Sequence, residues 1–202
     1  MTFRLLAVFV CLLAPAVSMA GSLFGENSLL EVELEGPLES TIEDLEQRQQ
    51  RRFVLRVNGA EIDVMVRVRG KSRARVCEFP PLRISFPEGQ SETVFAGQES
   101  LKLVSHCRDG KKGESNAMEE YMAYRIFNLL SPASYRVRPL RIHFRDSAKR
   151  GDGDLRYGFL VESSSDLAAR NQGQMVDRKG ISLGQLDPEQ AALTYVFQYM
   201  IG

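Results

Sequence analysis

The chain has 202 residues, with 26 Lys and Arg balanced by 26 Asp and Glu, 44% hydrophobic residues and no Trp. A formal net charge of zero argues against a general nucleic-acid or polyanion binder, which needs a basic surplus. The length is enough for one domain with a substantial core.

Met1–Arg4 carries a single positive charge, Leu5–Ala14 is an unbroken apolar run, and Pro15 ends it. Ser18 and Ala20 then supply small residues where a signal peptidase needs them, so residues 1–20 read as a cleavable secretory signal. The run is too short to cross a bilayer core of about 30 Å; an uncleaved anchor is the alternative. Cys11 lies inside the run, and no Cys stands directly after the expected cleavage site, which argues against lipoprotein processing. The expectation is a secreted or periplasmic protein with a short leader at residues 21–28 and one domain over residues 29–202. No later segment is apolar enough for a stable membrane span.

Leu29–Leu34 alternates apolar and polar residues and predicts a strand. Ser40 followed by Glu43 has the form of a capping box and predicts a helix to about Arg51. Phe53–Val57 and Ala60–Arg69 flank Asn58-Gly59, the signature of a type I′ hairpin. In its second strand Ile62, Val64, Val66 and Val68 face one side, and Asp63, Met65, Arg67 and Arg69 the other.

Gly70–Arg75 is a basic turn, Leu82–Phe86 a strand, Glu88-Gly89 a turn and Ser100–Cys107 another strand. Asp109–Gly113 is a basic loop. Asn116 and Glu119 form a second capping box, which predicts a helix to Leu130. Tyr135–Phe144 and Arg156–Glu162 are strands separated by a turn at Gly151–Asp154, and Leu167–Gly184 has no clear pattern. Asp187-Pro188-Glu189-Gln190 opens a final helix. These elements predict an α+β domain, a mostly antiparallel sheet with a packed helix.

Cys77 and Cys107 are the only cysteines beyond the signal, and in an oxidising compartment such a pair predicts a disulfide; two separate buried thiols are the alternative. Only His106 and His143 accompany them, without metal-ligand spacing, so no metal site is expected and His106 reads as a strand-end histidine. Asp146, Asp152, Asp154 and Asp166 fit turn chemistry.

Taken together, Val66–Gly70, Pro81–Phe86, Leu101–Val104, Glu119–Tyr124 and Tyr157–Glu162 resemble, in order and spacing, segments of the CotH family of atypical secreted and spore-coat protein kinases. The resemblance implies a fold like the amino-terminal lobe of an atypical protein kinase. It also implies ATP and Mg as cofactors and a protein Ser or Thr as the possible substrate. A nucleotide triphosphate needs a turn over its phosphates, a lysine that pairs with them and an acid that positions the lysine. Gly70, Lys71, Ser72 and Arg73 would form the turn, with Arg75 nearby, although without the resemblance a solvated basic hairpin tip is the favoured reading.

Lys102 is the lysine, or else an ordinary edge-strand residue, with Arg83 as second choice. Glu120 is the acid, left free if Glu119 serves the capping box, and Glu162 would lie near the base. The loop that carries the family's catalytic Asp would follow Gly202, so no catalytic residue is named and turnover is not expected. The rival reading is a non-catalytic binding or structural domain of the envelope, whose basic turn contacts an anionic partner.

Overall fold

A computed structural model describes residues 23–87, 90, 92–176 and 180–201. The signal region and the Glu88-Gly89 turn lie outside the described residues. Seven strands carry the fold: β1 (Leu30–Gly36), β2 (Arg51–Val57), β3 (Ala60–Val68), β4 (Leu82–Ser85), β5 (Ser100–Val104), β6 (Val137–Asp146) and β7 (Asp154–Val161). The helices are α1 (Leu38–Ile42), α2 (Arg73–Val76), α3 (Lys111–Leu130), α4 (Ser164–Arg170) and α5 (Pro188–Ile201).

The strands close into a barrel in the order β1-β2-β3-β4-β5-β7-β6. Six of its seams are antiparallel; the seventh, β1 against β6, is a parallel ladder from Leu30↔Leu140 to Gly36↔Asp146. This overturns the expected α+β sheet with a packed helix, resembling a kinase amino-terminal lobe; most seams are antiparallel, but the sheet is closed. The parallel seam satisfies both edges that such a sheet would expose, and the result is a closed mixed barrel.

Strand alternation decides what fills it. Leu34, Phe53, Leu55, Val64, Val66, Leu82, Leu101, Leu140, Ile142 and Leu160 point inward and are buried in one cluster. Gly36 lets the ring of Phe53 pack across it: a Cβ there would meet Phe53 at 2.4 Å. Truncating Phe53 to Ala would cost about 3–5 kcal/mol. The interior is therefore a packed core and not a ligand cup.

At one end Arg138, buried and inward-facing, donates to the carbonyls of Leu23 and Glu26 and to the Ser28 hydroxyl, fastening the leader while Leu23 joins the core. A second cluster lies outside the barrel, where Tyr121 of α3 covers Val104, Val137, Phe159 and Val161.

Two helices begin elsewhere than expected. The Ser40–Glu43 pattern closes α1 instead of opening a helix. The Asp44 carboxylate accepts from the amides of Gln47, Arg48 and Gln49, and Arg48 takes a positive φ of 52°. These bonds turn the chain into β2. Asn116 lies inside α3, which starts at Lys111 after Gly110 at φ 90°, and Glu119 accepts from the Ser115 hydroxyl instead of the Asn116 amide. The strand expected over Ser100–Cys107 stops at Val104.

The Asn58-Gly59 hairpin forms with φ of 49° and 81°. The final helix starts as expected, with the Gln190 amide bonded to the Asp187 carboxylate at 2.7 Å. None of the described helices is long and apolar enough to cross a membrane.

Candidate functional site: a cationic face beside two tyrosines

Register sets the geometry. Arg67 lies opposite Arg83, and Arg83 opposite Lys102, on β3, β4 and β5. All three alternate with core residues and so share the outer face. Arg69 extends the row just past β3, its amide bonded to Pro81. Like charges directly opposite one another in a sheet are destabilising. Among the described residues, no carboxylate pairs with Arg67, Arg69, Arg83 or Lys102; the titratable groups acting on Lys102 include Tyr135, Arg69 and Arg83.

Lys102 is only 8% exposed. Its ammonium sits over the Tyr135 ring, 3.6 Å from the centroid, and donates to Ser164 Oγ at 3.3 Å. The Tyr135 hydroxyl shares Ser164 Oγ at 2.9 Å. Burial, with Arg69 and Arg83 adding to it, holds Lys102 below the ordinary lysine range despite the favourable pull of Tyr135. Burial alone would raise the Tyr135 phenol, but the Ser164 hydrogen bond and the Lys102 charge bring it below its usual value. Burial also lowers Arg69 and raises Tyr124, which borders the same cluster.

The expected pairing of Lys102 with Glu120 does not form. Glu120 instead binds Arg73 at 2.7 Å and so ties α2 to α3. Because α3 begins a turn and a half before Asn116, its register presents Glu120 to α2 and not to β5. Glu162 is likewise committed elsewhere. It is 2% exposed, accepts from the Arg136 amide and binds Arg170 at 2.6 Å. Arg170 also donates to the carbonyls of Pro132 and Ser134, so this cluster fastens α4 to the turn before β6. Gly70 takes a positive φ of 88° at the turn into α2, and Lys71 and Ser72 are exposed. Of the residues named from the sequence, Lys102, Arg83 and Arg73 surround the cluster; Arg69, Tyr124, Tyr135 and Ser164 were not named. The parity of Arg67 and Arg69 against Val66 and Val68 is a local sign of Arg69 alone.

Cys77 and Cys107 form the expected disulfide, with Cα atoms 4.6 Å apart, joining the segment after α2 to the loop after β5. His106, Asp109 and Asp154 bring ligand-type atoms within 4.8 Å of one another. The Arg156 guanidinium already holds Asp154 at 2.6 Å and Asp109 at 3.1 Å, so these acids serve an ion-pair cluster.

Next to the cationic face lies a cavity of about 410 Å³ between α3, α4 and α5, with Tyr124, Phe127, Tyr135, Leu167 and Phe197 in its wall. Tyr124 and Tyr135 border both regions, so an anionic group on the cations and an apolar group in the cavity would be adjacent. No protein-family model matches the chain, and no curated protein matches it.

Proposed function

We propose that this is an exported domain that binds a phosphorylated ligand on the outer face of its barrel, with Arg69, Arg83 and Lys102 as the phosphate-binding groups. The observation that carries the reading is the cross-strand row of cations without carboxylate partners among the described residues, one of them buried. Such a row is costly unless an anion neutralises it. The signal-like segment at residues 1–20 and the disulfide support export.

A nucleoside triphosphate, implied by the resemblance to the CotH family, suits the arrangement: phosphates on the cations and base in the adjoining cavity. The residues fit polyphosphate better than they fit Mg²⁺. Hard cations take oxygen ligands, and Glu120, in the wall of the adjoining cavity, is already held by Arg73. Any Mg²⁺ would have to arrive on the nucleotide. Phosphoryl transfer to a protein Ser or Thr is not included in this reading, because the cluster offers no carboxylate to act as base.

Thermal unfolding tests the reading. Pyrophosphate and ATP at about 100 times their Kd should stabilise the wild-type protein by about 2.7 kcal/mol, or roughly 5–10 °C in Tm. Arg83→Ala and Lys102→Met should lose the shift. No shift with either anion, or equal shifts in both variants, would overturn the assignment.

A further inference from the structure

The binding reading leaves Ser164 unexplained. Its hydroxyl is the shared hydrogen-bond partner of a buried lysine and a tyrosine, at 3.3 and 2.9 Å. A hydroxyl becomes a nucleophile when a neighbouring base takes its proton, and lysine serves as that base in serine–lysine enzymes. We infer that Ser164, with Lys102 as its base and Tyr135 as a positioning hydrogen-bond partner, is the nucleophile of an esterase acting on an apolar acyl group joined to an anionic alcohol. The inference rests on the binding reading, because Arg69, Arg83 and the same cavity select that substrate, with Lys102 acting in its uncharged form.

Three observations converge. The ammonium of Lys102 lies over the Tyr135 ring and within hydrogen-bond distance of Ser164 Oγ, and its burial away from water favours the neutral, proton-accepting form. The other groups facing it are Arg69 from the end of β3, Arg83 from β4 and Tyr135 from the turn before β6; none is a carboxylate that would hold the charge in place. The apolar cavity begins at Tyr135 and includes Leu167, one turn along α4 from Ser164, so an acyl chain there would leave its carbonyl near Ser164 Oγ. Arg69 and Arg83 would hold the anionic alcohol on the opposite side.

The step balances with water alone. Neutral Lys102 takes the Ser164 proton as Oγ bonds to the acyl carbon. The carbon–oxygen bond of the ester breaks, and the departing alcohol oxygen takes the proton from Lys102. Water then gives a proton to Lys102 and its oxygen to the acyl carbon, and Ser164 leaves with the proton returned. Ester and water become acid and alcohol.

An alkyl fluorophosphonate probe tests this, since Oγ attack on phosphorus releases fluoride and leaves a stable adduct. With the full chain, one probe should add, mapped to the peptide containing Ser164. Ser164→Ala should abolish labelling, Lys102→Met should slow it at least 100-fold, and Tyr135→Phe about 10-fold. The rate should rise with pH through the Lys102 titration in wild type and be flat in Lys102→Met. Pyrophosphate should protect.

Pyrophosphate-induced thermal shifts, measured in the same samples, report folding and keep the two readings apart. Ser164→Ala should retain the shift. A protein that binds pyrophosphate without labelling at Ser164 refutes the esterase inference and leaves the binding reading standing. Labelling of Ser164 that pyrophosphate neither blocks nor accompanies with a shift refutes the binding reading and, with it, the substrate class. Labelling elsewhere, or undiminished in Lys102→Met, refutes the nucleophile assignment.

Discussion

On the face built from β1, β2 and β6, every exposed charge row is answered by its opposite. Arg56 bridges Glu33, Glu35 and Glu61, Arg141 holds Glu31 at 3.1 Å, and Arg145 and His143 approach Glu33 at 3.5 and 3.3 Å. On the face built from β3, β4 and β5, Arg67, Arg83 and Lys102 stand in register with no such answer among the described residues. The same barrel alternation produces both. The first face is ordinary cross-strand pairing, which stabilises; the second gives up stability, as the proposed anion-binding role would require.

The largest expected effect probes what holds the cationic face together. The disulfide closes a sequence separation of 30 residues that contains β4 and β5. On a chain-entropy account, Cys77→Ser with Cys107→Ser should lower stability by about 3–4 kcal/mol in denaturant titration. A loss well under ~1 kcal/mol would show that this segment needs no covalent tie.

The sharpest pair of predictions has opposite signs. Arg56→Ala should destabilise by about 1 kcal/mol, because it leaves three carboxylates crowded together at a partly exposed site. Lys102→Met, measured without anions at low salt, should stabilise by about 1 kcal/mol, since it replaces a buried charge with an apolar chain of similar size. If both changes destabilise equally, the contrast between the faces collapses.

The smallest effect concerns the junction after β5. His106 is buried; burial first, and then the Arg156 charge, hold it below the ordinary histidine range, although Asp109, Asp154 and Glu114 oppose this. A lowered folded value means that the unfolded chain binds the extra proton first. This contribution is therefore complete above the unfolded value of about 6.5 and is lost as pH falls toward the folded one. Melting temperature should drop between pH 7 and pH 5, and His106→Gln should flatten that drop. A variant with an unchanged slope would assign the drop to the carboxylates.

Local chemistry was legible in the chain, and long-range closure was not. Asn58-Gly59 and Asp187-Pro188 announce their turn and helix start because the residues that decide them are adjacent. The barrel depends on β1 meeting β6, a pairing between Leu30 and Leu140 that no neighbouring residue encodes. The Ser40–Glu43 pattern misled because Ser40 already lies inside α1 and Asp44 then takes the amides of residues 47–49, and Asn116–Glu119 because Gly110 had already started the helix. In the site, Lys102 and Arg83 were readable from strand parity. Their neighbours Tyr135 and Ser164 come from a turn and a short helix whose positions depend on the Glu162–Arg170 pair. That pair also explains why Glu162, readable as a carboxylate at a strand end, serves architecture.

The parallel seam has a kinetic consequence. Its first paired residues are separated by 110 positions, so the loop that it closes is among the most expensive in the molecule to form. Until β6 has been made and delivered, β1 and β6 are raw edges, open to strand addition by a second unfolded chain. Refolding should therefore slow and yield should fall as protein concentration rises, and the vulnerable interval ends only when the last stave is set.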